Sequence, residues 1–525
     1  METRDVIIVG GGPAGLAAAV ELYKRGIKDI LIVEREKQLG GILRQCIHDG
    51  FGLTRFGTSM SGPEYAQRFI DQVVELEIPY VTNASVVEIT SDKVVTIACR
   101  QGLRKIRAKA VILSMGCRER TRGALAIPGE RPAGVFTAGV AQAYMNLYNH
   151  MVGKEVVILG SGDIGMIMAR RLTLEGAHVQ AVFEIMSIPS GLPRNIEQCL
   201  NDYNIPLYLS HTITEIHGRE RVTGVTVSQV DEKRKPIPGT EKEYACDTVI
   251  LSVGLLPENE LSLDAGVELD PHTKGAIVDE NFQTNVEGIF AAGNVLHVHD
   301  LVDFVSMEAE RMAGGVAEYV RPNVQVRANV QNEMAHAPVS SCGEEEYVHG
   351  NTRWEADPCT LPVIPDPTIG HVIPQRISGQ KDVTLSMRVS RKFENCQIQV
   401  LLNDQVLAAK KLKKALPAEM IQLPLSAAAV QKALQNVVLS KSDAADEREE
   451  SKAEMHGAEK SGAEVHEADR SKAEVHGAER SITVVRTGVN EPKRSAAESQ
   501  AERIVSGGGS SANSISARIE VKVVW

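Results

Sequence analysis

The sequence predicts an α/β protein with two parallel βαβ sheets, followed by a small all-β domain near the C-terminus. Two observations predict the parallel sheets. A β-branched run at 5–9 and another at 155–159 each lead into a glycine cluster and then a helical pattern. A third observation predicts the β domain, because apolar and polar residues alternate strictly at 383–390 and again at 515–523.

Length and composition place the chain among soluble globular proteins. Its 525 residues exceed one ordinary hydrophobic core, so we expect two to four domains. A net charge of −11 with no basic stripe argues against nucleic acid as a partner. Glycines interrupt the apolar run at 6–20, which argues against a signal peptide or a membrane span. We therefore expect a cytoplasmic protein, soluble or held at a membrane only through a partner.

The cysteine and histidine spacing predicts no metal site. Eight cysteines are scattered along the chain and none forms a C-x-x-C pair, which argues against a zinc knuckle or a dithiol and fits a reducing compartment. Near copies of a decapeptide fill 451–480, with His456, His466 and His476 ten residues apart. Because this repeat lacks a large apolar face, we expect it to be disordered, or at most transiently helical, without bound metal.

The first glycine motif is G-x-G-x-x-G, placed between a strand and a helix. Gly10, Gly12 and Gly15 take the three glycine positions, and Glu34 ends the next predicted strand. In dinucleotide-binding folds these glycines permit a tight turn, close approach of a pyrophosphate and close packing of helix on strand. The helix N-terminus offers amides to phosphate, and Glu34 is placed to accept hydrogen bonds from ribose hydroxyls. The motif predicts a Rossmann-like domain.

The second glycine motif repeats this design. Its glycines are Gly160, Gly162 and Gly165. The interval from Gly10 to Glu34 is 24 residues, and the interval from Gly160 to Glu184 is the same. Chance matches would not share strand, loop, helix, strand and terminal acid, so we predict a second Rossmann-like domain that binds NAD. A carboxylate at 184 would repel a 2′-phosphate, which favours NADH over NADPH.

The order of these segments resembles that of the disulfide-reductase-like flavoproteins, where two halves of an FAD domain flank an NAD domain. Thr284–Asn294 resembles their distal flavin segment, with Asn294 in place of the usual aspartate. The resemblance implies that Gly293 and Asn294 lie at the flavin. Strand ends at Gly116 and Gly254 resemble the two crossovers between the FAD and NAD domains.

A closer resemblance is to bacterial NAD(P)/FAD-dependent oxidoreductases encoded beside anaerobic-type glycerol-3-phosphate dehydrogenases. It is dense from residue 1 to about 320, and the matching segments are 40–48, 116–122, 160–174 and 294–303. More distantly, the chain resembles the flavin-binding subunits of sarcosine oxidase, opine oxidase and hydrogen cyanide synthase. The resemblance implies FAD and NAD as cofactors, and a partner oxidoreductase subunit or a small electron carrier as the protein partner.

Four residues are candidates for catalysis. His297 and His299 follow the distal flavin segment, where a proton donor would assist reduction of a flavin. The alternative is that they orient the next helix, with Asp303 as its N-cap. Cys46 and His48 lie in a loop where disulfide reductases carry a cysteine pair. Because Cys46 stands alone, it is either a redox thiol or a packed core thiol.

The predicted site and domains can be stated residue by residue. The predicted cofactor-binding residues are Gly10, Gly12, Pro13, Ala14, Gly15, Glu34, Arg35, Gly41, Gly116, Gly160, Gly162, Asp163, Ile164, Gly165, Glu184, Gly254, Gly293 and Asn294. The predicted divisions are an FAD domain in two halves (1–120 and 251–322), an NAD domain (121–250), a linker (323–380), a β domain (381–440 plus 511–525) and a disordered insert (441–510).

Together these patterns predict an FAD-dependent oxidoreductase. It transfers a hydride from NADH to FAD and passes electrons to an unidentified acceptor, a partner protein or flavoenzyme. Two alternatives stay open. One is a flavin-linked amine, polyol or glycerol-3-phosphate dehydrogenase subunit, and the other is a non-catalytic nucleotide-binding scaffold. We also expect an oligomer.

Overall fold

The structure is a computed structural model that describes residues 1–321, 360–436 and 518–525. The predicted insert at 441–510, most of the predicted linker, and the alternating residues Ile515 and Ala517 lie outside these ranges. Within them, no helix is both long enough and apolar enough to cross a membrane.

The first sheet is formed mainly by residues 1–119. Its central strands are buried on both faces, which is typical of parallel strands covered by helices. The elements in chain order are β1 (Glu2–Val9), α1 (Pro13–Lys24), β2 (Ile30–Val33), a 3₁₀ helix (Gly41–Gln45), α2 (Gly62–Glu75), β3 (Tyr80–Val81), β4 (Ser85–Ile89), β5 (Val94–Cys99), β6 (Gly102–Leu113) and β7 (Cys117–Glu119). The strand order is β3-β2-β1-β6-β5-β4.

Residues 122–251 form a second sheet, which is parallel throughout, and a three-stranded antiparallel sheet. The elements are α3 (Arg122–Leu125), β8 (Val135–Thr137), α4 (Ala138–Tyr148), β9 (Glu155–Leu159), α5 (Asp163–Leu174), β10 (His178–Glu184), α6 (Pro193–Cys199), a 3₁₀ helix (Asn201–Tyr203), β11 (Leu207–Leu209), β12 (His211–His217), β13 (Gly224–Gln229), β14 (Lys242–Tyr244) and β15 (Thr248–Leu251). The parallel order is β11-β10-β9-β15-β8, and the antiparallel order is β12-β13-β14.

The chain then returns to the first sheet. The elements are β16 (Leu255–Pro257), α7 (Glu260–Asp264), β17 (Ile289–Ala291), a 3₁₀ helix (Gly293–Val295) and α8 (Val302–Val320). Strand β17 pairs in parallel with β6, so the first sheet is completed only after the second has been traversed. Strands β7 and β16 pair antiparallel, which brings the two crossings between the sheets side by side. The predicted α/β class with two Rossmann-like sheets is confirmed.

The C-terminal region is an all-β structure, as predicted, with one added helix. The elements are β18 (Leu361–Pro365), β19 (Ile369–Ile373), β20 (Arg376–Ile377), β21 (Val383–Val389), β22 (Phe393–Leu402), β23 (Gln405–Ala415), β24 (Ile421–Leu425), α9 (427–436) and β25 (Ile519–Val524). One sheet has the order β20-β18-β25-β22-β23 and the other β19-β21-β24. Ile519, Val521 and Val523 are buried, as their alternation predicted.

The structure differs from the prediction over 360–380, which we expected to belong to a linker. Strands β18, β19 and β20 lie there and pair with β25, β21 and β18 respectively. Prolines divide this stretch into runs that are too short for a period of two to be recognised, and for that reason the sequence pattern missed these strands.

This β region packs against the first sheet region through specific polar contacts. The backbone N–H groups of Gln375 and Arg376 donate to the Val278 carbonyl at 3.2 and 3.3 Å. The Ser378 N–H donates to the Glu280 carboxylate at 3.0 Å. The β region is thereby fixed beside the segment that leads into β17.

Replacing Ile519 with alanine tests the central place of β25 in its sheet. Ile519 is fully buried between β18 and β22, so Ile519→Ala should lower the free energy of unfolding by about 2–5 kcal/mol. Lys522→Ala, on the opposite and half-exposed face of β25, should change it by no more than about 0.5 kcal/mol. Thermal unfolding of the full chain followed by circular dichroism measures both, and equal effects would contradict the placement.

Candidate functional site

The first glycine motif forms a loop that a buried carboxylate holds in place. Gly10 follows the last residue of β1 and donates its N–H to the Val33 carbonyl at 2.9 Å. Glu34, 5% exposed, accepts from the N–H of Gly11 at 2.8 Å and from the N–H of Glu36 at 2.7 Å. The carboxylate therefore ties the loop after β1 to the loop after β2.

The three glycines of this motif are needed for different reasons. Gly10 has φ +107°, which L side chains rarely adopt, and a Cβ on Gly15 would lie 2.0 Å from the Gly10 carbonyl oxygen. The fold itself therefore requires these two. Gly12 has an ordinary φ of −81°, and the nearest atom to an added Cβ is 3.9 Å away, at Gly41. The space beside the Gly12 backbone is therefore open. A ligand can approach the backbone closely there, as a dinucleotide pyrophosphate does in this type of fold.

The second glycine motif repeats these bonds. Glu184, 4% exposed, accepts from the N–H of Ser161 at 2.9 Å and from the N–H of Met186 at 3.0 Å. Gly160 has φ +100°, and a Cβ on Gly165 would meet the Ser252 side chain at 2.6 Å. The equal spacing seen in the sequence thus corresponds to the same carboxylate-to-amide geometry in both sheets.

Asp163, at the start of α5, differs from its counterpart Pro13 in the first motif. Its Oδ1 accepts from the Leu192 N–H at 2.8 Å and from the Asn195 side-chain amide at 2.7 Å. The carboxylate predicted to be near a cofactor therefore holds the start of α6 against the second glycine motif.

A cavity of about 1370 Å³ joins the two sheets. Fourteen of the predicted site residues line it, from both Rossmann-like regions: Gly10, Gly12, Pro13, Ala14, Glu34, Arg35, Gly41, Cys46, His48, Gly116, Asp163, Ile164, Asn294 and His299. The other predicted site residues do not line it: Gly15, Gly160, Gly162, Gly165, Glu184, Gly254, Gly293 and His297. The cavity therefore reaches the carboxylate of the first motif but only the helix start of the second.

Arg35 and the distal segment are placed at the cavity wall by further contacts. The Arg35 guanidinium forms an ion pair with Glu258 at 2.9 Å. Gly293 has φ +77°, and a Cβ there would lie 2.9 Å from the Ala14 side chain, so this glycine permits close approach to α1. Asn294 accepts from the His299 N–H at 3.0 Å and donates to Cys117 Sγ at 3.5 Å.

Asp303 does not cap α8, contrary to the alternative considered from the sequence. The N-cap is Leu301, and Asp303 lies in the first turn of the helix. Its buried carboxylate accepts from the N–H groups of Gly52, Thr54 and Arg55 at 2.8, 2.7 and 3.2 Å. An acidic residue in a first helical turn ordinarily complements the helix dipole, so the sequence carried no sign of this long-range bond.

The two candidate histidines have different surroundings. His297 is 1% exposed, and its Nε2 lies 2.7 Å from Glu308 Oε2. His299 lines the cavity, and its Nε2 lies 3.4 Å from the same oxygen. Glu308 itself was not predicted, because a glutamate inside a helix usually faces solvent. The structure brings the two histidines together on one buried carboxylate.

Cys46 and His48 lie on the loop that faces the second sheet region. Cys46 Sγ is 3.4 Å from the Ile42 carbonyl and 3.6 Å from Gln142 Oε1, and burial raises the pKa of the Cys46 thiol to about 12. Burial, together with the Arg194 guanidinium, lowers the pKa of His48. Cys46 therefore carries a neutral thiol, and all six cysteines in the described part of the chain are free.

A partly buried polar network joins this loop to α4. The Gln45 side-chain amide donates to the Gly139 carbonyl at 2.7 Å and to Gln142 Oε1 at 3.2 Å. The Asn146 amide donates to the Gln45 carbonyl at 2.7 Å, and the Glu119 carboxylate accepts from the Gly139 N–H at 2.9 Å. Because buried polar groups are costly to separate, these bonds fix the two sheet regions relative to each other.

Two dinucleotide folds that face one cavity define the class: an oxidoreductase that brings two nucleotide cofactors together. The chain belongs to the pyridine nucleotide-disulphide oxidoreductase family, which it matches over residues 4–318. It is accordingly a flavoprotein enzyme that uses FAD and NAD(P)H.

Individual relatives support this placement. The chain is 28% identical over 311 residues to an alkyl hydroperoxide reductase subunit of Staphylococcus aureus (strain NCTC 8325 / PS 47), a match that covers 59% of this chain and 57% of that protein. It is 25% identical over 312 residues to an opine oxidase subunit of Agrobacterium tumefaciens (strain Ach5), covering 55% of this chain and 61% of that protein. The matches thus span little more than half of these relatives.

Solved structures agree with the fold. Thioredoxin reductase of T. acidophilum superposes with a TM-score of 0.50 at 25% identity, over 61% of this chain and 99% of that chain. Thioredoxin reductase of Lactococcus lactis does so with a TM-score of 0.50 at 22% identity, over 60% and 99%. The second likeness concerns the fold alone.

Gly12→Ala tests whether the open space at Gly12 belongs to the cofactor. The added methyl group meets no protein atom closely, so the protein should fold, but the affinity for FAD should fall at least tenfold, about 1.4 kcal/mol. The ratio of flavin absorbance to protein absorbance after purification measures the loss. Gly370→Ala, which also has room but lies in the β region, should keep its flavin. Full flavin content in Gly12→Ala would contradict the assignment.

The high pKa of Cys46 predicts slow alkylation. Only the thiolate reacts, and with a pKa of about 12 almost no thiolate exists near neutral pH. Iodoacetamide should therefore modify Cys46 on the order of a hundredfold more slowly in the folded protein than in urea. Peptide mass spectrometry over time gives both rates. Equal rates would contradict the raised pKa of the Cys46 thiol.

Proposed function

We propose that this enzyme transfers a hydride from NADH to FAD and passes the electrons to a partner protein. The observation that carries the proposal is the repeated carboxylate-to-amide geometry at Glu34 and Glu184, with both sheets opening onto one cavity. FAD, when bound, accepts the hydride and releases electrons one or two at a time. The protein's own residues position the two nucleotides and exclude water.

The residues of the first sheet region would hold FAD. Gly12 leaves room for the pyrophosphate at the N-terminus of α1, and Glu34 has lone pairs left to accept from ribose hydroxyls. Asn294, in the wall of the same cavity, would hydrogen-bond the ribitol chain. Among the catalytic candidates, His299, His48 and Cys46 line the cavity, whereas His297 is not part of its lining, and the Cys46 thiol is neutral.

The residues of the second sheet region would bind NADH. Ile164 and Asp163 bring the start of α5 to the cavity, where a helix N-terminus favours phosphate. Glu184 is buried and receives only hydrogen-bond donors, so a 2′-phosphate beside it would place two negative charges together. This favours NADH over NADPH.

The cysteines and the relatives of this chain bear on the identity of the electron acceptor. The described cysteines form no disulfide, and no C-x-x-C pair occurs in the sequence, so electrons would leave through a partner oxidoreductase or small carrier. The match to an alkyl hydroperoxide reductase is compatible with such a partner. The match to an opine oxidase favours a second candidate, a component of a flavin-linked amine dehydrogenase. The kinship with proteins encoded beside glycerol-3-phosphate dehydrogenases, the cytoplasmic location and an oligomeric state are part of this proposal.

Anaerobic titration of the purified holoprotein distinguishes these functions. Rapid loss of the flavin absorbance with NADH is expected. Loss only with an amine, an opine or glycerol 3-phosphate would replace the first function with the second. A protein without flavin after reconstitution would exclude both.

Glu184→Gln tests the basis of nucleotide choice. Removing the charge should lower the preference for NADH over NADPH, measured as the ratio of the two kcat/KM values, by about tenfold. The glutamine oxygen still accepts from Ser161, and a thermal melt checks that the variant folds. Glu241→Gln removes the same charge from an exposed position of the same region and should leave the ratio as it was. An unchanged ratio in Glu184→Gln would exclude Glu184 as the determinant.

A further inference from the structure

The carboxylate of Glu308 lies at the centre of a buried cluster behind the cavity wall. It is 1% exposed, and both of its oxygens have partners. Oε1 accepts from the Gly293 N–H at 2.9 Å, while Oε2 lies 2.7 Å from His297 Nε2 and 3.4 Å from His299 Nε2. Burial alone would raise the pKa of Glu308, but the two imidazoles outweigh it and hold that pKa well below its usual range. Glu308 is therefore a buried anion.

The hydrogen bonds of His299 show which of its nitrogens carries a proton. Nδ1 is 3.3 Å from Asn294 Oδ1, an oxygen that also accepts from the His299 N–H, so Nδ1 is a donor. A neutral His299 would then place the lone pair of its buried Nε2 only 3.4 Å from the Glu308 carboxylate. A second proton on Nε2 turns this repulsion into an attraction.

His297 is suited to the neutral form. Its Nε2 donates to Glu308, and in the described part of the chain its buried Nδ1 has no hydrogen-bond partner. A cationic His297 would bury an unpaired N–H, whereas a neutral one leaves only an unused lone pair. Burial also lowers the pKa of His297. One carboxylate thus lies near two histidines, and only His299 has an oxygen within 3.4 Å of each ring nitrogen.

The other titratable groups around His299 do not neutralise the Glu308 carboxylate. Arg388 from β21 and Asp300 from the same loop form an ion pair at 3.4 Å and offset each other. His371 from β19 packs against His297 at 5.9 Å between ring centres, and burial lowers its pKa to about 3, so it is neutral. Glu308 is then the remaining charge, and a cationic His299 balances it.

We propose that Glu308 is a positioning residue that keeps His299 as an imidazolium facing the cofactor cavity. This rests on the proposed function, because the cation gains its role from FAD in that cavity. Hydride transfer from NADH would add one negative charge to bound FAD, and the ion pair, with His299 in the cavity wall and Glu308 outside it, would present its positive end to that charge. The cluster therefore raises the midpoint potential of bound FAD.

The three donor atoms also lie within 4.8 Å of one another, a distance that a metal ion could bridge. Metal-bound histidines normally donate their second N–H to a partner. His299 has such a partner in Asn294, but His297 has none in the part of the chain that the structure describes. The geometry therefore favours a proton over a metal ion.

The midpoint potential of the bound flavin tests the proposal. Photoreduction of the holoprotein with a reference dye gives it without NADH, so a failure of the proposed NADH reaction does not affect the measurement. His299→Asn and Glu308→Gln should lower the ratio of affinities for reduced and oxidised FAD at least tenfold, about 30 mV for a two-electron couple. His297→Asn, which contacts the same Glu308 oxygen, should shift it much less. No shift in His299→Asn, or an equal shift in His297→Asn, would overturn the proposal.

Two further measurements separate charge from simple structural support. Nitrogen-15 NMR of labelled histidines in the holoprotein should show His299 doubly protonated near pH 7, and neutral in Glu308→Gln, where the glutamine oxygen can still accept from Gly293. Elemental analysis by mass spectrometry should find no stoichiometric transition metal. A neutral His299 in the unaltered protein, or a metal that is lost in His299→Asn, would overturn the proposal.

Discussion

Carboxylates, most of them buried, hold the loops around the cavity by accepting hydrogen bonds from backbone amides. Glu34 and Glu184 do this for the two glycine motifs, Asp303 for the loop at 52–55, Glu119 for the start of α4, and Glu308 for the turn at Gly293. An ionised acceptor gives a stronger hydrogen bond than a neutral one, and it is costly to leave unpaired when water is excluded. These bonds therefore hold each loop in one arrangement around the cavity.

The sequence predicted the parts of this arrangement that depend on local pattern. Both glycine motifs and the strands that precede them follow from turn chemistry and β-branched runs, and the burial of Ile519 and Val521 follows from alternation. Glu34 and Glu184 could be placed because their distance from the glycines is fixed by one βαβ unit. The equal spacing of the two motifs therefore predicted that the two carboxylates occupy equivalent positions in the two sheets.

The rest depends on contacts between distant segments, which a sequence pattern does not reveal. Asp303 and Glu308 lie on α8 at positions that look like ordinary helix acids, yet one binds a loop some 250 residues earlier and the other binds two histidines. His297 and His299 were equivalent candidates from the sequence, but only His299 lines the cavity. Alternate residues in an irregular loop need not have the same surroundings. Strands β18 to β20 were missed because prolines hide their period.

The place of β17 has a consequence for how the chain folds. The second parallel sheet, β11-β10-β9-β15-β8, is made from one continuous stretch of sequence, whereas the first needs β17 to pair with β6 across that whole stretch. Long-range pairing is entropically slow, and an inserted contiguous unit can form while its host is incomplete. If the second sheet forms first, it brings β6 and β17 close together, so that they can pair and complete the first sheet. Asn294 and His299 follow closely after β17, so this part of the cavity wall would form only once β17 has paired with β6.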